Sequence, residues 1–352
     1  MKNKIFAALI ACAFFLYVGS AASADTNVVK KGQTAALAAL LPASDGIMTI
    51  DMQKVLSETA PQILSGKPQT LAGINAKIDE VKEKTGIDLR QFEQIAVGVS
   101  TKQITAKEID LEPLILARGT YNANALIALA KLASKGKFRE EKVGTRSIYI
   151  FSGNEIAASA KPGAITQSAK RDWFERAIDR MIAGLMKEIA VTSYDGTTLA
   201  VGSLARVRDT LNVKTPVNAD LLTSINRQPN AVVAFSTNLP LNLSNYINLD
   251  NDQFGATLDS IRQASGAMEL VNGNTAVSFT AKTGTADQSK NLLETLQGLQ
   301  MIGKTLLGGS KSADKQVYAR MIDNAKITRS QLEVALDLQV PQTDINILIG
   351  AK

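Results

Sequence analysis

One absence constrains this chain more than any motif in it. There is no histidine, and the single cysteine, Cys12, falls within an N-terminal leader. Lys2 and Lys4 precede an apolar run from Ile5 to Val18, and Ala22-Ser23-Ala24 offers a small-x-small cleavage site before Asp25. That order of charged, apolar and small segments is a secretory signal peptide. The run is shorter than the ~20 residues a membrane-spanning helix needs. Cleaved there, the mature chain has neither cysteine nor histidine. Disulfide staples, thiolate nucleophiles, Ser-His-Asp and Cys-His catalysis, and zinc sites on nitrogen or sulfur are all excluded. Such a chain must be held together by burial alone. Its 45% hydrophobic residues over 352 positions can supply a core, and aromatics at 5% leave that core to Leu, Ile, Val and Ala.

The leader also contains Leu9-Ile10-Ala11-Cys12, the short pattern that precedes a lipidated cysteine. A lipidated cysteine closes its apolar region, whereas here the region continues through Ala13 to Val18. A soluble periplasmic or extracellular product is therefore expected, not a lipoprotein. Lys+Arg is 39 against 33 for Asp+Glu, and removing Lys2 and Lys4 leaves 37 − 33 = +4. The basic residues are interspersed with acids and have few aromatics beside them, so nucleic acid is not an expected partner.

Behind a polar, alanine-rich lead-in (25–40), two similar series of elements can be read. The first starts with a strand over Gly46 to Asp51, then helices over 53–65 and from Leu71 to a Gly86 cap. Strands come next at Gln94 to Ser100 and Pro113 to Tyr121, separated by a polar loop. Asn122 can cap a helix over Ala123 to Ala133, and a Gly144 turn leads into the strand Ser147 to Ile150. Ile189 to Tyr194 and Thr197 to Gly202 make a hairpin on Asp195-Gly196, and helices near 204–211 and 219–227 connect to the second series. That series has a strand at Ala231 to Ser236 and a helix over Phe254 to Gln263. A hairpin on Asn272-Gly273 joins Ala267–Val271 to Thr275–Lys282, and a long helix begins near Ala286. In the final strand, Leu332, Val334, Leu336, Leu338 and Val340 alternate with Glu333, Asp337 and Gln339, one face apolar and the other polar.

Both series read strand, helix, hairpin, helix, strand. The expectation is an α+β fold of two diverged ferredoxin-like β-α-β-β-α-β repeats, with antiparallel sheets covered by helices. The first unit would span 41–203 with an inserted amphipathic helix at 170–187, then a helical connector 204–228, then the second unit 229–352. Leu41-Pro42-Ala43-Ser44-Asp45 before a strand, and Thr85-Gly86-Ile87-Asp88-Leu89 after an amphipathic helix, resemble exported bacterial proteins of unknown function with repeated α/β units. The resemblance implies a secreted or periplasmic setting and brings no catalytic residue.

Several motifs mimic chemistry. Gly298-Leu299-Gln300-Met301-Ile302-Gly303-Lys304-Thr305 satisfies the P-loop expression, but Leu292, Leu293 and Leu296 carry helical spacing into it, where a phosphate loop needs a preceding strand. Ser134-Lys135-Gly136-Lys137, Ser152-Gly153-Asn154 and Lys282-Thr283-Gly284 stand in the order of the penicillin-binding serine enzymes. Ser134 ends its helix where that family's serine starts one, and only 18 residues separate it from Ser152. Asp250-Asn251-Asp252 is oxygen-rich but lacks the spaced glycine and distal glutamate of a calcium loop. Asp45, Asp51 and Asp88 read as turn and strand-end residues. No catalytic residue, metal ligand or cofactor site is assigned.

The candidate interaction surface is the helix 170–187. Trp173, Phe174, Ile178 and Met181 belong to an apolar stripe, and Arg176 and Arg180 flank it. Such a helix packs on its own sheet or docks a partner groove or membrane surface, and core packing is the expectation. The function expected is non-catalytic binding or structure in the envelope or outside the cell, with a protein or envelope partner. A carrier of an apolar, lipid-like ligand and a serine/lysine hydrolase are the alternatives.

Overall fold

The computed structural model describes residues 33–105, 108–152, 188–212, 215–241, 244 and 252–350. The leader and the stretch 170–187, expected from sequence to be a helix, lie outside them. The N-terminal half contributes β1 (Gly46–Asp51), β2 (Phe92–Thr105), β3 (Glu108–Gly119), β4 (Phe138–Val143), β5 (Arg146–Phe151), β6 (Ile189–Asp195) and β7 (Thr198–Gly202). The C-terminal half contributes β8 (Val233–Asn238), β9 (Ile261–Val271), β10 (Asn274–Thr283), β11 (Lys326–Ser330) and β12 (Glu333–Val340). All pair antiparallel in one 12-stranded sheet, ordered β11-β12-β10-β9-β8-β1-β2-β3-β7-β6-β5-β4.

The helices are α1 (Gln33–Ala38), α2 (Pro68–Thr85), α3 (Ala123–Ala133), α4 (Leu204–Leu211), α5 (Ala219–Asn226), α6 (Asp252–Asp259), α7 (Ala286–Leu307), α8 (Ala313–Asn324) and α9 (Gln342–Gly350). A further helical stretch over 52–63 contains a π-helical turn at Val55–Thr59. Local chemistry sets many boundaries. The Asn122 side chain accepts from the Ala125 N–H at 3.1 Å to start α3, and Thr285 and Gln288 form a capping box at α7. Gly86 ends α2 at φ 73°, and Asn272 and Gly273 turn β9 into β10 at φ 51° and 78°.

The α+β class agrees with the sequence reading; the split β-α-β pairing does not form. β1 and β2 are direct neighbours, with Gly46 opposite Val99 and Asp51 opposite Gln94. The physical reason lies in the excursion between them. Two helical segments in succession, 52–63 and α2, run out and back and return the chain to the end of the sheet it left. The next strand must then run antiparallel beside the first. The expected loop before Asp110 is likewise strand on both sides, since Lys102 pairs with Asp110 in a long hairpin.

What repeats is a different topology. In each half three strands meander, a helix crosses over, and returning strands end beside the third. β1-β2-β3, α3 and β4 to β7 place β7 against β3; β8-β9-β10, α7 and β11-β12 place β12 against β10. The halves meet through β1 and β8, Gly46 opposite Thr237 and Ile50 opposite Val233, so the sheet has an approximate two-fold axis at its centre.

On the back face, α3 covers Leu199 and Tyr121 in the first half, and α7 covers Ile261, Ala281 and Val334 in the second. The 52–63 stretch closes the middle over Ile50 and Val233. On the front, α1, α4 and α5 bury one continuous core that includes Leu37, Leu114, Leu116, Ile148, Ala200, Val207 and Leu221. Alpha-1 falls inside the stretch read as a loose lead-in, yet Leu37 and Ala38 are fully buried.

Candidate functional site

The front core stops at β9. Beyond it the front faces of β9, β10, β12 and β11 carry no helix among the described residues and form an open cleft. The alternation of each strand sends Ala281, Val334 and Ile327 to the back and leaves the intervening residues forward. Register then orders the floor in rows. Glu269, Ala276 and Gln339 make one row, and Ala267, Ser278, Asp337 and Lys326 the next. Ser265, Thr280, Ala335 and Thr328 make the third. Small side chains occupy the middle of each row, so the floor is low and the rim is high.

Two adjoining hollows result, of about 600 Å³ and about 250 Å³, sharing Gln228, Ala267, Ser278 and Asp337. The larger is ringed by the carboxamides of Gln228, Asn274, Asn324 and Gln339. The smaller lies under the end of α5, where Ser224 and Arg227 form the wall. Arg227 grips Glu333 with two parallel hydrogen bonds of 2.9 Å, a geometry that fixes both side chains. That hydrogen bonding to Glu333 holds the Arg227 guanidinium above its ordinary pKa. Glu269, Asp337 and Lys326 form no ion pair within 4 Å among the described residues. Among those residues, no aromatic side chain lines either hollow.

The equivalent place in the first half is filled. Alpha-4 lies across β3, β5, β6 and β7, and Arg206 on it is 4% exposed. The Arg206 guanidinium donates to the Ala43 carbonyl at 2.9 Å and to the Ser44 hydroxyl at 2.7 Å, pinning the helix to the loop before β1. Burial lowers the Arg206 pKa, opposed by the charges of Asp209, Glu112 and Asp45.

The residues singled out from sequence are dispersed or elsewhere. Trp173, Phe174, Arg176, Ile178, Arg180 and Met181 lie outside the described residues, as does Asp250. Asp252 opens α6. Ser134 ends α3, its hydroxyl donating to the Lys131 carbonyl at 2.8 Å, and Ser152 comes directly after β5. Lys282 sits on β10, eight steps from β5 in the strand order, about 38 Å along the sheet at ~4.8 Å per strand. The penicillin-binding-like set is not brought together.

Gly298 to Thr305 lies inside the unbroken helix α7, with Lys304 Nζ 3.1 Å from Asp323. Asp45 accepts from the Thr101 N–H and hydroxyl, both at 2.7 Å. Asp51 caps the 52–63 stretch through the Lys54 N–H at 2.9 Å, and Asp88 pairs with Lys82 at 2.9 Å. Sequence reasoning did not find the cleft. Its signal was present as small and polar residues at period two, Ser265-Ala267 on β9 and Ala276-Ser278-Thr280 on β10.

No known protein family matches the chain, and no curated protein does. Solved structures of TP0453 are distantly similar. Crystal form III is 11% identical, with a TM-score of 0.43 over 92% of this chain and 99% of that one. Crystal form I is 10% identical, with a TM-score of 0.39 over 94% and 98%.

Proposed function

We propose that the protein is an exported, non-catalytic binding protein whose front cleft in the C-terminal half holds an extended polar segment of a protein partner. The observation that carries this reading is a floor of small residues, uncovered among the described residues and ringed by four carboxamides. Each carboxamide offers both a donor and an acceptor, which is what successive peptide groups require. The absence of lining aromatics among the described residues leaves no platform there for stacking a sugar or a base. An aliphatic ligand would leave the carboxamides and carboxylates desolvated and unpaired, which disfavours a lipid-like cargo in this cleft. The signal-peptide pattern supports export. Lys282 on β10 lies eight strands away from Ser152 at the end of β5, which favours a binding role over the hydrolase alternative.

The test is titration of the isotope-labelled exported chain with a panel of unstructured peptides, monitored by NMR. Shifts confined to the amides of 265–280 and 333–339 are expected. Ala276→Phe should fill the floor and abolish them while leaving the melting temperature within a few degrees. Binding that survives the plug, or shifts that map elsewhere, would overturn the reading.

A further inference from the structure

The smaller hollow has a chemistry of its own. Six hydroxyls line it, those of Ser224, Ser265, Ser278, Thr280, Thr328 and Ser330. Its charged residues are Arg227, Glu333 and Asp337. Arg227 and Glu333 occupy each other through their paired hydrogen bonds, so the charge left over is the negative one of Asp337.

The floor of this hollow is one row of the sheet, and the row does not stop at the wall. Thr328, Ala335, Thr280 and Ser265 stand in register on β11, β12, β10 and β9. Ser236 on β8 is the next member, opposite Ser265. It faces the front, two residues after Ala234 of the front core. Ser236 is fully buried, and its hydroxyl has no hydrogen-bond partner among the described residues. A buried polar group left unpaired costs about 1–3 kcal/mol, so few persist in folded proteins. Opposite residues of neighbouring strands stand about 4.5–5.5 Å apart, which puts Ser236 directly behind the Ser265 hydroxyl. Gln263, also buried, holds its Oε1 3.5 Å from the Ser224 hydroxyl, at the outer limit of a hydrogen bond. The inner end of the hollow is therefore short of a polar partner.

The surroundings give that partner its sign. Asp337 supplies an uncompensated carboxylate. Alpha-5 ends at Asn226 with Arg227 as its cap, so the carbonyl end of the helix borders the hollow and favours a cation. An anion could reach the Arg227 guanidinium only by displacing Glu333. Ala335, between Thr280 and Thr328 in the row, is the short residue that leaves room, and about 250 Å³ holds one long side chain rather than a second run of backbone.

We propose that the smaller hollow takes a lysine side chain of the segment bound in the cleft, its ammonium held by Asp337 and by the hydroxyls of Ser265 and Thr280. An ammonium has three donors and no acceptor, which matches one carboxylate and two hydroxyls. This pocket rests on the cleft reading above and adds the residue that the bound segment must carry.

NMR titration of the labelled exported chain with two capped heptapeptides tests it, Gly-Ser-Asn-Lys-Asn-Ser-Gly and the copy with norleucine in place of lysine. Norleucine keeps the methylenes and loses the charge. The lysine peptide should bind about tenfold tighter, with its largest shifts at the amides of Ser236, Ser265 and Thr280. Asp337→Asn should weaken the lysine peptide about fivefold and leave the norleucine peptide unchanged. Asp220→Asn removes the same charge from the exposed start of α5 and should keep the lysine preference. Equal binding of the two peptides in the cleft would overturn the lysine pocket and leave the cleft reading standing. A preference lowered equally by Asp337→Asn and Asp220→Asn would also overturn it, in favour of a general field. No shift with either peptide, and none across the wider panel, would overturn the cleft reading and the pocket with it.

Discussion

On the front of the sheet the two halves present equivalent strands and opposite chemistries. In the first half β3 turns Leu114 and Leu116 forward, β7 turns Ala200, and they are buried in the core that α4 closes together with α1 and α5. In the second, β10 turns Ala276, Ser278 and Thr280 forward, β12 turns Ala335 and Asp337, and no described helix covers them. The difference is decided by the helix that comes after the last strand of each half. After β7, Ser203 accepts from the Arg206 N–H and caps α4 back over the front. After β12, α9 packs instead beside the 52–63 stretch, where Gln342 donates to the Ile63 carbonyl and the Ser65 hydroxyl. Arg320 on α8 fixes α9 there through the buried Asp344, at 3.2 Å from its Nε. Among the described residues, one half of the sheet is thus closed on its front and the other left open by the placement of one short helix each.

The hardest test of that contrast substitutes equivalent positions. Leu116 is fully buried, so Leu116→Ala should cost about 2–5 kcal/mol in urea denaturation through lost burial and a residual cavity. Thr280→Ala, on the cleft floor, should stay within about 0.5 kcal/mol. Equal losses at the two positions would mean that the C-terminal front is a covered core after all.

The two arginines should separate in the same way. Removing Arg206 takes charged hydrogen bonds from the Ala43 carbonyl and the Ser44 hydroxyl under α4, and Arg206→Ala should cost about 2–3 kcal/mol. Arg227→Ala loses a well-formed pair with Glu333, but at a half-exposed rim, and should cost at most about 1 kcal/mol. If Arg227 proved the more costly, the cleft would be structural rather than free to accept a partner.

Within the second half, β12 compares front with back. Leu336 faces the back, opposite Phe279, and is half-buried. Leu336→Asp should cost about 1–3 kcal/mol through a poorly solvated carboxylate, or raise that group's pKa. Asp337→Leu lies in the open cleft and should be nearly neutral in a thermal melt, while weakening any basic peptide bound there. Equal tolerance at both positions would contradict the assignment of faces.

Much of this was legible before the structure. Beta-1, α3 and α4 fall where the pattern put them, and α3 had the clearest local signal in its Asn122 cap. Asn272-Gly273 fixed its hairpin because both residues must adopt positive φ. Pairing was not legible. Helical periodicity in 53–65 and 71–85 does not say that the two helices return the chain to its starting end, and that fact alone turns a split β-α-β unit into an antiparallel meander. Beta-11 escaped notice because Lys326-Ile327-Thr328-Arg329-Ser330 is the charged, short edge that keeps an open sheet from pairing with others. The cleft escaped for a related reason: small residues at period two look like a weak strand until the covering helix is seen to lie elsewhere.

The smallest effect is expected at the motif that looked most like chemistry. Lys304 lies near the end of the apparent phosphate loop, but its backbone belongs to α7, where the amides are spent on the helix and none can curl around an anion. Its ammonium meets Asp323, across to α8, with both side chains about half exposed. An exposed pair of this kind contributes between nothing and about 1 kcal/mol and is screened by salt. Lys304→Ala should therefore change stability by no more than about 0.5 kcal/mol, and the change should vanish at high ionic strength. Nucleotide binding by the wild type that disappears in Lys304→Ala would show that α7 unwinds at Gly298 and Gly303, and would place a functional centre on the back of the molecule instead of the front.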